Sequence, residues 1–210
     1  MTRSALPRLE LGSLVDALDA HASPAIVGVE GSVYAGKSTL CRELARTMRA
    51  EVLEEHSRSP RLRMAMRSPW PTDPAEQAAR QIAILGEEAS RVDRVRRRGL
   101  GTGPLVLDRT LLSPIAYLYA RVDAGDASRR SLVAVIDSAR RFVESKRALV
   151  PGRIIYLSVD EHECRHRASA TVEWPARATE PFLMLSRTIH AQRSFIELLA
   201  TRLSRIAVEL

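Results

Sequence analysis

The sequence predicts an α/β protein: a parallel β-sheet covered on both faces by helices. Three observations carry this. Short apolar runs of strand character alternate with stretches of helical spacing along the chain. One of those strands runs straight into a glycine-bearing loop and then a helix. A chain of 210 residues, 45% hydrophobic and 27% charged, also suffices to bury a real core in a single domain, residues 1–210.

The elements follow in order. Leucines and a valine at Leu11, Leu14, Val15 and Leu18 mark a leading amphipathic helix over Leu6–Ala20. Ala25–Glu30 is the first strand, and Ser38–Arg49 the helix after the glycine loop. Glu51–Glu54 reads as a second strand. Four prolines (Pro60, Pro69, Pro71, Pro74) make Ser57–Pro74 a loop or broken helix. A long helix over Ala75–Arg98 is closed by Gly99, Gly101, Gly103 and Pro104. Leu105–Leu107 is the third strand, and Leu111–Arg121 and Ser131–Lys146 are helices. Arg153–Val159 is the clearest strand; Asp160–Pro181 is polar and irregular in part; Phe182–Leu203 is a long helix, and Ile206–Val208 a closing strand.

Composition excludes several classes. Cys41 and Cys164 are too few for a disulfide framework and lie in no metal-type spacing. No apolar run approaches the roughly 20 residues of a membrane span, and the N-terminus lacks a signal-peptide core, so a cytoplasmic protein without membrane partners is expected. The net charge of +7 does not point to a nucleic-acid polymer. Only Lys37 and Lys146 among 32 basic residues are lysine, which reads as an arginine bias of the chain. The one dense basic run, Arg94 and Arg96–Arg98, ends a helix, and 4% aromatics leave little for stacking bases.

Gly31-Ser32-Val33-Tyr34-Ala35-Gly36-Lys37-Ser38-Thr39 fits G-x-x-x-x-G-K-[ST] in the context its mechanism requires, after a strand and at a helix start. Backbone N–H groups of such a loop wrap a phosphate chain, and the helix N-terminus adds positive potential. Lys37 is then expected on the β- and γ-phosphates of ATP, and Ser38 on Mg²⁺. That one of only two lysines stands here strengthens the reading, since the bias would have placed an arginine.

Asp108 and Arg109 close the third strand at the edge where open α/β sheets bind ligands; the acid suits Mg²⁺ and the guanidinium a phosphate. Helix capping by the acid is the plain alternative. Glu54 and Glu55 close the second strand at the same edge. Alternation puts them on opposite faces, and Glu54 is preferred as a base that takes the proton of an attacking hydroxyl. The segment 160–181, with Arg165, Arg167 and Arg177, is a candidate lid that closes arginines over a transferring phosphate. Trp70 is either a base-stacking side chain or a plug under its loop.

With these pieces in order, the chain resembles the thymidylate kinase and deoxynucleoside kinase superfamily of P-loop kinases over nearly all of its length after residue 24. VGVEGSVYAGKST is similar to the first strand and phosphate loop of deoxynucleoside kinases, LDRTLLSPIAYLYA to the Asp-Arg segment, and RIIYLSVDEHECRHR to the fourth strand running into the lid. The resemblance implies a P-loop NTPase-type three-layer sandwich with a five-stranded parallel sheet and a lid. It implies an ATP- and Mg²⁺-dependent phosphotransferase whose acceptor is a nucleoside or a nucleoside monophosphate. Asp108 and Arg109 would organise Mg²⁺ and the acceptor's 5′ oxygen or phosphate. Arg165 and Arg167 would be lid arginines, Gln81 and Arg91 would face the base and substrate, and Arg58 or Arg91 would hold an acceptor phosphate. By the same resemblance helices Leu111–Arg121 and Ser131–Lys146 would pair across a homodimer, packing within the chain being the alternative that amphipathicity leaves open.

The chain departs from the family after the second strand, where Glu-Glu-His stands for the usual Glu-Pro, and at Thr110 and Leu118. Another small alcohol as acceptor therefore stays open. So does a nucleotide-dependent switch, although no guanine-reading motif is present.

Overall fold

The computed structural model describes residues 8–55, 69–97, 99, 103–170 and 185–209. Five parallel strands form one sheet in the order β2-β3-β1-β4-β5: β1 (Ser23–Gly31), β2 (Glu51–Leu53), β3 (Leu105–Asp108), β4 (Pro151–Leu157) and β5 (Ala207–Glu209). Seven helices are described: α1 (Arg8–His21), α2 (Lys37–Met48), α3 (Pro74–Arg97), α4 (Leu112–Asp123), α5 (Arg129–Glu144), α6 (Glu161–Ser169) and α7 (Ser186–Ala200).

β1 is central, paired with β3 from Ile26↔Leu105 to Val29↔Asp108 and with β4 up to Gly31↔Leu157. A central parallel strand has no solvated face, so it reads as a continuous apolar run, and Ile26 to Gly31 are all buried. The sheet is clad on both sides. Leu53, Leu105 and Leu107 pack against Val95 of α3, and a larger cluster gathers Leu14, Leu18, Ile115, Leu132 and Phe195 of α1, α4, α5 and α7 with Ile154 of β4. Val29 and Val106 point the other way, onto Cys41 and Ala45 of α2.

The helix starts follow local chemistry. Asp73 Oδ1 accepts from the N–H groups of Ala75 and Glu76 ahead of α3, with Pro74 at its first position. Ser128 caps α5. In the stretch read as partly irregular, α6 forms because Asp160 accepts from the Glu163 N–H and Glu161 and Glu163 sit in the first turn. Two i,i+4 pairs, Glu161–Arg165 and Glu163–Arg167, run along it. Within the chain α5 lies on α1 and α3, and α4 on α7. Residues 57–68 of the proline-bearing segment, with Arg58 and Pro60, and the part of the candidate lid beyond Ala170, with Arg177, lie outside the described residues. Among those described, no helix is long and apolar enough to cross a membrane.

Candidate active site

The C-terminal ends of β1, β2 and β3 meet at one edge, the position where such sheets receive ligands. After β1 the chain turns through Gly31 (φ +143°), where a Cβ would stand 1.9 Å from the Leu157 carbonyl oxygen. Only glycine fits so close to β4. Ser32 ties the loop to the same strand, donating its N–H to Leu157 O and accepting from Val159 N–H. Val33, Tyr34 and Ala35 form the outer arc, with Tyr34 left-handed at φ 58°, and Gly36 at φ 90° opens α2. Gly36 brings no side chain to the first N–H groups of α2, which leaves them and the helix dipole turned toward the loop. Thr39, one turn in, is exposed.

Lys37 is 7% exposed, and its Nζ donates to Ser32 O at 2.6 Å. Burial, followed by the charge of Arg109, pulls its amine down to about 8. Ser38 Oγ donates to Asp108 Oδ2 at 2.5 Å, while Asp108 Oδ1 is buried with no hydrogen-bond partner among the described residues. A hydroxyl beside a carboxylate with one oxygen to spare is a hard-oxygen donor set, which fits Mg²⁺.

A carboxylate that sequence reading did not place organises the next turn. Glu30, 3% exposed inside the central strand, accepts from Thr110 N–H and Thr110 Oγ1, both at 2.7 Å, and from Ser113 Oγ at 2.6 Å. A lone charge in an apolar strand is the signal that could have found it, since burial is tolerable only with such partners. Thr110 in turn crosses over Gly28, where an added Cβ would meet its methyl at 2.6 Å. Held this way, Arg109 adopts φ 66°, a conformation that costs a non-glycine residue roughly 1–2 kcal/mol. Its N–H donates to Val29 O, and its Nη1 reaches toward Gly31 O and Ser113 Oγ. Its Nε lies 2.6 Å from Glu55 Oε1. Burial works against the Arg109 charge, but Glu55, Glu30 and Asp108 outweigh it.

The two glutamates therefore part company. Glu55 faces Arg109 and the Lys37 amine, whereas Glu54, the residue preferred from sequence, is exposed. Glu55 falls two residues after Leu53, on the face that α3 covers, and the sequence did not reveal which face that is.

The two arginines of α6 separate in the same manner. Arg167 donates from Nη1 to Tyr34 O at 3.0 Å and stands 4.0 Å from where a Gly36 Cβ would be. Cys164, one turn earlier on that face, donates its thiol to Val33 O at 3.0 Å. Arg165 points away and grips Glu161, which also accepts from Ser186 at the start of α7.

Of the expected acceptor contacts, Gln81 is 2% exposed with Oε1 lacking a partner among the described residues. Arg91 is no surface ligand: it is 2% exposed, with its guanidinium on Glu88 and on two carbonyls. Trp70 is a plug. Its indole N–H donates to Asp126 O, its ring meets Tyr117 edge-on at 5.5 Å, and Arg121 covers it at 4.6 Å.

Solved structures of deoxyadenosine kinase from M. mycoides superpose on this chain. The form with the products dCMP and a flexible dCDP bound is 17% identical, with a TM-score of 0.63 over 87% of this chain and 88% of that one. The dATP form gives 17%, 0.63, 87% and 89%, and the dCTP form 17%, 0.62, 87% and 88%. The fold is that of a deoxynucleoside kinase. No family model matches the sequence, and no curated protein does.

Proposed function

We propose that this protein is an ATP- and Mg²⁺-dependent kinase that phosphorylates the hydroxyl of a nucleoside. The observation that carries this is the Glu55–Arg109 pair at 2.6 Å beside a phosphate-binding loop. An acceptor that is itself a phosphate needs no base; a hydroxyl does. The nucleotides bound by the M. mycoides enzymes support a nucleoside acceptor over other alcohols.

In this reading the loop Gly31–Thr39 wraps the phosphates of ATP with its N–H groups, and Lys37 exchanges Ser32 O for the β- and γ-phosphates. Ser38 and Asp108 hold Mg²⁺, which supplies positive charge to the phosphate chain. Arg109 orients the acceptor oxygen, and Glu55 takes its proton as that oxygen bonds to the γ-phosphorus and ADP leaves. Arg167 moves from Tyr34 O onto the transferring phosphoryl group. Gln81 offers its amide to the base.

The test is mass spectrometry of products after incubation with Mg²⁺-ATP and a mixed panel of nucleosides and nucleoside monophosphates, with Lys37→Ala as blank. A Lys37-dependent gain of one phosphate on a nucleoside is the expected result. Gain on a monophosphate alone, or on nothing while ATP binds, would overturn it.

A further inference from the structure

We infer that Arg91 is a positioning residue: its single buried guanidinium sets the spacing between the two chain segments that carry Glu55 and Arg109. The inference rests on the reading of that pair as the acceptor-side machinery.

The geometry is as follows. Nη2 of Arg91 donates to Leu53 O at 2.9 Å, and Nη1 donates to Arg109 O at 3.0 Å and to Glu88 Oε1 at 2.6 Å. Leu53 is the last residue of β2 and the last to pair with β3, opposite Leu107. Glu55 lies two residues beyond Leu53, and Arg109 two residues beyond Leu107. Where the ladder between the strands stops, the sheet no longer fixes the distance between them. The fork of Arg91 takes over at that point, with one nitrogen on each chain.

Two further facts say that the arrangement has a geometric purpose. The carbonyl it holds belongs to Arg109, whose left-handed backbone must be kept in place by its surroundings. The clamp is also an ion pair with Arg91 at 2% and Glu88 at 1% exposure, and apolar residues of similar volume commonly stabilise a core as well or better. Stability alone therefore gives little reason for it. Arginine is suited because its donors are fixed in one plane; a lysine offers a point charge that cannot bridge both carbonyls in the same way. Both terminal nitrogens of Arg91 are taken by Glu88, Leu53 O and Arg109 O, so it acts through Glu55 and Arg109.

Two variants test this: Arg91→Lys, which keeps the charge, and Glu88→Met with Arg91→Met, which removes both buried charges together. Melting temperature, the Kd for Mg²⁺-ATP and single-turnover phosphoryl transfer are measured for each. We expect melting and ATP affinity close to wild type, acceptor KM within about threefold, and kcat down by about 10²-fold in both, the cost of misplacing reacting groups by roughly 1 Å. Transfer within threefold of wild type in a folded double variant would overturn the inference. So would failure of both variants to fold, which would make Arg91 a plain folding element.

If the wild type phosphorylates no acceptor, the proposed function fails, and the clamp is then read by hydrogen exchange. Segments 51–55 and 108–111 should exchange at least about tenfold faster in Arg91→Lys while α2 is unchanged. Equal exchange in the two proteins would overturn it.

Discussion

Around the loop between β1 and α2 most of the groups proposed to hold the donor come from one consecutive run, Gly31–Thr39, and are largely backbone N–H groups, with Asp108 and Arg167 added from β3 and α6. On the proposed acceptor side, Glu55, Arg91 and Arg109 come from the ends of β2 and β3 and from α3, and the contacts are side chain to side chain or side chain to carbonyl. The first half is a local conformation, dictated by glycines and a helix start. The second exists only once the sheet and α3 have packed. The donor half should therefore tolerate few changes and fail completely, whereas the acceptor half should fail by degrees, through rate before affinity.

The sharpest way to break that contrast is Lys37→Ala, which should lower phosphoryl transfer by about 10³-fold in a steady-state assay. Next comes Glu55→Gln, expected to lower kcat by about 10²-fold with the Kd for ATP unchanged, beside a Glu54→Gln control within twofold of wild type. Equal losses from the two would return the base to an open question. On α6, Arg167→Ala should cost about tenfold in kcat, and Arg165→Ala almost nothing, since Arg165 points away from the loop and holds Glu161.

The smallest effect is protonic. With the Lys37 amine at about 8, the free protein is partly deprotonated at pH 8.5, and a bound phosphate restores the charge. Donor binding should then take up a proton, seen as a buffer-dependent enthalpy in calorimetry. ATP affinity should be flat below about pH 8 and fall above it.

The same contrast explains what was legible in the sequence. The phosphate loop could be read because its chemistry needs fixed residue types at fixed spacing, and Asp108 because a polar pair ends an apolar strand. Each of the five strands overlaps its apolar run: β1 and β3 run a little further, β2 ends one residue earlier, β4 begins and ends two residues earlier, and β5 sits one residue later. α6 was not drawn as a helix, because its signal is capping and charge pairing with almost no apolar stripe. Glu55 was separable from Glu54 only by knowing which face α3 would cover. Arg167 was separable from Arg165 only by the phase of α6 relative to Cys164. The role of Arg91 had no local signal at all: it is one arginine among many on a helix, and what it touches comes from β2 and from the turn after β3.

The near absence of lysine has a practical consequence. In a chain where Lys37 and Lys146 are the only lysines, amine-directed chemistry has only two side chains to mark, and peptide mass separates them. At pH 7.5 an amine titrating near 8 is neutral in about a quarter of molecules, against about one in a thousand for an ordinary lysine. An acylating probe should mark Lys37 ahead of Lys146 despite its burial, and saturating ATP should erase that mark alone. Occupancy of the phosphate loop can then be followed by peptide mass, before any acceptor is known.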